Sequence, residues 1–203
     1  MRKTILLFII SIYFHSSYAQ IVAADPATSQ MDVVNVDGVS DEFASFIAPN
    51  KTIQIKIPVF NLHQSNSIPA GSCKLKINLG KFLVIDPAFN LANAALNDYF
   101  NWTSALVAGN VEITGDLFTP MPGDFIGTAI FYLKAGNTLG TDEILTNFLI
   151  TNHNTTTILQ DEDFNNNTAS LQYTITRQAA PVPVNFTQLT LTKTAVSYTH
   201  LTL

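Results

Sequence analysis

Apolar and polar positions alternate through much of the chain. Ile53, Ile55, Ile57 and Val59 alternate with Gln54, Lys56 and Pro58. A strand turns successive side chains to opposite faces, so the branched residues share one face. Cys73, Leu75, Ile77 and Leu79 repeat the pattern against Lys74, Lys76 and Asn78. Ala169, Leu171, Tyr173 and Ile175 repeat it against Ser170, Gln172 and Thr174. These three stretches read as half-buried strands with one wet face. Pro58 lacks an amide donor, so its strand is expected to have an edge or a bulge there. Residues 125–133 and 144–150 are apolar on both parities and suit central strands. Residues 33–36, 99–107 and 111–114 are further candidates.

Turn signals separate these stretches: Asp37-Gly38, Pro49-Asn50, Pro69-Ala70-Gly71, Asp86-Pro87, Ala108-Gly109-Asn110, Pro120-Met121-Pro122-Gly123 and Ala135-Gly136-Asn137. Only residues 91–96 resemble a helix, of one or two turns. About seven to nine short strands with frequent turns predict an all-β fold, an antiparallel β-sandwich. Alternation is the same in a closed barrel, so both closures stay open at this point. The matched parities predict a core of Ile53, Ile55, Ile57, Leu75, Ile77, Phe148, Ile150, Leu171, Tyr173 and Ile175.

Composition supports strands over helices. Hydrophobic residues make up 47% of the 203, as in a globular chain, but charged residues only 12%. The usual charged share is about 25%. A polar surface built from Thr, Asn, Ser and Gln suits strands and turns. The net charge of −5 argues against nucleic acid as a partner. A single cysteine excludes an internal disulfide and a cysteine-built metal site.

Both ends stand apart. Residues 1–19 read as a secretory signal: Arg2 and Lys3, an apolar run over 5–14, then Ser17-Tyr18-Ala19 before a cut at Gln20. Losing Arg2 and Lys3 takes the net charge to −7. No later segment approaches the 18 or so apolar residues that a membrane helix needs, so a secreted, cell-surface location without a membrane span is expected. At the far end, Val196-Ser197-Tyr198-Thr199-His200-Leu201-Thr202-Leu203 resembles the translation of a transposon adapter used to prepare sequencing libraries. Residues 195–203 are therefore expected to be an adapter-derived scar, with the natural gene continuing past Thr194.

The run Asp161-Glu162-Asp163-Phe164-Asn165-Asn166-Asn167-Thr168-Ala169-Ser170, followed by an alternating strand, resembles the closing motif of an Ig-like repeat common in bacterial surface proteins. Ile68-Pro69-Ala70-Gly71 before a strand, Trp102 near mid-domain and Pro122-Gly123-Asp124 fit the same family. The resemblance implies an Ig-like sandwich over 28–177 and a stalk, spacer or adhesive role. A second stretch, Ala180-Pro181-Val182-Pro183-Val184-Asn185-Phe186-Thr187-Gln188-Leu189, resembles the entry to the module that precedes the C-terminal sorting domain of many Bacteroidetes proteins. There Asn185 stands where an apolar residue is usual. This resemblance implies type IX secretion and a further, truncated β-module starting at 185–194. Read without the family, 178–184 is a stiff Ala/Pro linker.

Candidate chemistry is sparse. The chain has no Gly-x-Ser-x-Gly, no His-Glu-x-x-His and no phosphate-cradling glycine loop. His63 and His153 are expected to be exposed strand-end residues without a positioned partner. Cys73 lies on an apolar parity and is expected to be buried and inert. Asp161, Asp163 and Asn165 fall at alternate positions, as calcium ligands do. Asn166 at the sixth position and Gln172 at the twelfth defeat an EF-hand. A looser calcium site stands against a solvated turn in which Asp and Asn cap backbone groups. Calcium is expected to leave the thermal midpoint unchanged, and no other cofactor is expected. Phe100, Trp102 and Phe118, on or near loops, could contact a glycan or plug the open ends of the sandwich.

The expectation is a non-catalytic structural or adhesive module of a larger surface protein, with a surface protein or glycan as partner. The alternative is a carbohydrate-binding accessory module of a truncated extracellular enzyme.

Overall fold

The computed structural model describes residues 20–34, 45–152 and 157–177. The leader, the Asp37-Gly38 turn, His153, the 178–184 linker, the 185–194 segment and the 195–203 tail lie outside them. Among the described residues thirteen strands run in chain order: β1 Gln20–Ala24, β2 Pro26–Thr28, β3 Asp32–Val34, β4 Phe46–Ile47, β5 Thr52–Asn61, β6 Cys73–Asn78, β7 Leu83–Ile85, β8 Phe100–Val107, β9 Asn110–Leu117, β10 Phe125–Ala135, β11 Gly140–Ile150, β12 Thr157–Asp161 and β13 Thr168–Ile175. Nine of them have five residues or more, and β2, β3, β4 and β7 have two or three, so the described residues hold more strands than the seven to nine expected. The helices among the described residues are single 3-10 turns, at Leu91–Asn93 and Phe164–Asn166.

Two layers are built from these strands. One has the order β2-β5-β10-β7, with β3 also on β5; the other has the order β4-β13-β11-β6-β9-β8. β1 and β12 form a separate parallel ribbon, and β4 is parallel to β13; the remaining pairs are antiparallel. The two layers form separate hydrogen-bonded sheets, so the fold is a sandwich and not a barrel. It is an all-β, mainly antiparallel β-sandwich.

The core follows the predicted parities. Ile53, Ile55, Ile57, Leu75, Ile77, Phe148, Tyr173 and Ile175 are buried, together with Ala129, Phe131, Leu133, Ile113 and Ile144. Ile150 and Leu171 are only half-buried. Ile150 is the last residue of β11, and Leu171 lies on β13, beyond which only the two-residue β4 is paired.

Two expectations need correction. Residues 125–133 and 144–150 do lie in central strands, but burial reaches one parity only. Ile126 is 79% exposed, Leu145 46% and Leu149 42%. A two-layer sandwich covers one face of each sheet, so apolar residues on the second parity meet solvent. Pro58 is neither on an edge strand nor shown at a bulge. β5 lies between β10 and the β2/β3 pair. β2 covers residues 59–61 and β3 covers 54–56, which leaves Pro58 opposite the break between them. Its carbonyl accepts a hydrogen bond from the Thr28 hydroxyl at 2.9 Å on that side. The missing amide donor of Pro58 therefore falls where no strand needs it.

The β8–β9 hairpin closes through Ala108 and Gly109, with Val107 opposite Asn110. Both loop residues have positive φ, 50° and 86°. That backbone matches the right-handed twist of the flanking strands.

Candidate functional site

The three aromatic candidates come together at one cleft. Phe100 and Trp102 lie on β8, opposite Leu117 and Gly115 of β9, and Phe118 follows β9 directly. With Leu91, Ala92, Asn97 and Asn101 they line a cleft of about 430 Å³. The 3-10 turn that forms one wall is capped by Asn90, whose side chain accepts the Ala92 N–H at 3.0 Å.

The three rings differ in what they can offer. Phe100 is 1% exposed and Trp102 7%. The Trp102 ring stands edge-on to Phe131 at 4.9 Å and lies 5.1 Å from Phe100. Its indole N–H donates to the Ala95 carbonyl at 3.2 Å. Both residues thus plug this end of the sandwich. Phe118, 55% exposed, meets solvent, as does Asn101 on the same cleft.

The cleft sits at the root of an edge strand. β8 ends the six-stranded sheet, and Thr103 to Val107 are all exposed, with Leu106 at 76%. None of the residues of β8 is charged. Natural edge strands usually carry charges, prolines or bulges that discourage added strands.

The histidine is not placed as expected. The ring of His63 is half-buried, and its Nδ1 accepts the backbone N–H groups of Ser65 at 3.2 Å and Asn66 at 2.9 Å. Its Nε2 lies 3.8 Å from Glu162 Oε1. The imidazole organises its own loop. His153 lies outside the described residues.

Sequence reading also missed Asn61, which is fully buried at the end of β5. Its Oδ1 accepts the N–H groups of Asp25 and His63, each at 3.3 Å. Its Nδ2 donates to the carbonyls of Asn66 and Pro122, each at 2.8 Å. A lone asparagine closing an alternating strand carries no signal that separates this knot from a solvated strand end.

In the acidic loop, Asp161 ends β12, is 6% exposed and accepts the Asp163 N–H at 3.2 Å. Asp163 caps the second 3-10 turn: its Oδ1 accepts from the backbone N of Asn165 at 3.0 Å and from the Asn165 side-chain amide at 2.9 Å. These are the local caps that Asp and Asn make in turns. Among the described residues no three His, Cys, Asp or Glu side chains are grouped to hold a metal.

Cys73 is 1% exposed, and burial, with the nearby charge of Asp161, pushes its thiol up to about 12. At pH 8 the thiolate fraction is then about one in ten thousand. Ellman's reagent should leave the native protein unlabelled and titrate one thiol in 6 M guanidinium. Rapid native labelling would show that the strand carrying Cys73 opens to solvent.

Among the described residues no helix is long and apolar enough to cross a membrane.

No family model and no curated protein sequence matches the chain. Solved structures to which the chain shows some similarity include the CARDB domain of a Pyrococcus furiosus protein, in complex with di-metal ions. It is 13% identical with a TM-score of 0.41, over 75% of this chain and 93% of that one. The C-terminal domain of the Streptococcus agalactiae AgI/II polypeptide BspA is 12% identical with a TM-score of 0.42, over 74% of this chain and 49% of that one. AvmM, which catalyses macrocyclization in alchivemycin A biosynthesis, is 15% identical with a TM-score of 0.39, over 74% of this chain and 89% of that one. At these scores the likeness is too loose to carry a function from one chain to another.

Proposed function

We propose that the chain is a secreted, cell-surface Ig-like module that makes structural and adhesive contacts and performs no catalysis. The observation that carries this reading is the β8 edge, eight residues long, uncharged and exposed from Thr103 onward. Such an edge presents free backbone groups to a partner strand, which is a common route to protein adhesion. Leu106→Lys places a charge on that edge. Adhesion of protein-coated beads to a surface displaying the partner should fall several-fold. Stability should change by less than about 0.5 kcal/mol, because Leu106 is 76% exposed. Unchanged adhesion would remove β8 from the reading. Turnover of an ester, peptide or glycan substrate, abolished by one substitution, would overturn its non-catalytic part.

A second reading, a carbohydrate-binding accessory module of an extracellular enzyme, is favoured by the cleft. Phe118 is exposed there, and Asn97 and Asn101 line the same cleft. On a glycan array a retained sugar lost in Phe118→Ala would select this reading. An array without a hit would leave the edge-strand reading alone.

The same proposal takes the mature chain to begin at Gln20 and the module to belong to a longer type IX secreted protein. Genomic sequence across Thr194 should run on into a further β-module and a sorting domain. A native stop codon after Leu203 would end that part.

A further inference from the structure

The β1–β2 corner and the closing loop meet at a cluster of oxygen atoms whose hydrogen bonding does not balance. β1 and β12 pair in parallel with Ala24 opposite Asp161, which brings Asp25 beside a loop far away in sequence. The Asn166 side-chain amide donates to Asp25 Oδ1 at 2.8 Å, and the Asn167 amide donates to Asp161 Oδ2 at 2.5 Å. Asn167 is 4% exposed and Asp161 6%. Yet the carbonyl oxygens of both amides, Asn166 Oδ1 and Asn167 Oδ1, are buried and meet no protein donor. Buried polar atoms are nearly always paired, so two neighbouring orphans ask what satisfies them. Each orphan belongs to an amide already fixed on a carboxylate. The corner therefore holds two orphaned acceptors beside two carboxylates.

We propose that this corner binds a calcium ion through the orphaned oxygens of Asn166 and Asn167 and the carboxylates of Asp25 and Asp161. Every donor is a hard oxygen, and calcium takes six to eight of these in flexible geometry, with water completing the shell. Zinc would prefer nitrogen and sulfur donors, and magnesium demands a stricter octahedron. Only two carboxylates contribute, those of Asp25 and Asp161. So low a ligand charge fits the weak end of calcium sites, about 10⁻⁴ to 10⁻³ M, the range of extracellular modules. The site differs from the alternate-position pattern, because Asp163 and Asn165 satisfy each other while Asp25 arrives through the fold. It also reverses the expectation that calcium leaves the thermal midpoint unchanged.

The test is calcium titration of the full chain after chelator treatment, by equilibrium dialysis and by thermal unfolding. One calcium should bind, and at ten times the dissociation constant the midpoint should rise by about 3 °C or more. Sodium chloride at equal ionic strength should not reproduce the rise. Asp25→Asn and Asn166→Ala should each weaken binding about tenfold while keeping the midpoint in chelator close to that of the parent. Asp161→Asn should abolish binding, and if that buried change prevents folding, the other two variants decide alone. No binding up to 10 mM calcium would overturn the proposal and assign the orphaned oxygens to water. Binding left intact in both Asp25→Asn and Asn166→Ala would overturn it equally.

Discussion

Phe131→Ala should lower the free energy of unfolding by about 3–5 kcal/mol, the range for truncating a buried aromatic residue. Phe131 is fully buried on β10, the strand held between β5 and β7. Its ring meets Trp102 edge-on at 4.9 Å and Phe89 at 6.3 Å, so it joins the plug of the aromatic cleft to the loop after β7. Removing the ring leaves a hole between two sheets whose backbones are fixed by long ladders, so collapse can recover little of the loss. The control is Ile126→Ala on the same strand. Ile126 is 79% exposed, and its truncation should cost less than about 0.5 kcal/mol. Urea unfolding of both variants measures the contrast. Equal losses would mean that β10 buries both of its faces, against the two-layer arrangement.

That contrast marks what the alternation could tell. The inward parities of β5, β6 and β13 are set by runs of branched and aromatic residues at every second position, and the structure keeps them. Where both parities are apolar, as in β10 and β11, the sequence signal is the same for a strand covered on two faces and for one covered on one. The choice is made by the number of layers, a property of the whole chain. β1, β2, β4, β7 and β12 carried too little pattern to be recognised. They are two to five residues long and are defined by what they pair with, as Ala24 is with Asp161. Pro58 was legible as a missing donor, but the gap that accommodates it is formed by β2 and β3 from another part of the chain.

The site residues divide along the same line. Local chemistry was readable: Asp163 and Asn165 make the caps their spacing suggests. Cys73 is buried as its parity implies. Contacts between distant segments were not. Phe100, Trp102 and Phe118 are brought to one cleft by the β8–β9 hairpin, but only Phe118 faces solvent there. Asp25 gave no signal of its own, because its part in the acidic corner exists only once β1 lies beside β12.

Gly115→Val should push Trp102 out of its place and cost about 2–4 kcal/mol, from overpacking together with lost ring contacts. Gly115 faces Trp102 across the β8–β9 ladder. A Cβ at Gly115 would meet Cζ3 of the indole and come within 2.7 Å of Cε3 and 2.8 Å of Cη2. The ring has little room to yield, since Phe131 and Phe100 pack on it and its N–H is fixed on Ala95. Trp102 is the only tryptophan in the chain, so its emission reports the displacement directly as a shift to longer wavelength. The decisive comparison is the double-mutant cycle with Trp102→Ala. With the indole gone, valine at 115 has space and suits a strand, so the second substitution should be neutral or favourable. The coupling between the two positions should then be about 2 kcal/mol or more. Additivity within about 0.5 kcal/mol, with unchanged emission in Gly115→Val, would show that the indole does not rest on Gly115, and that the floor of the cleft is formed in another way.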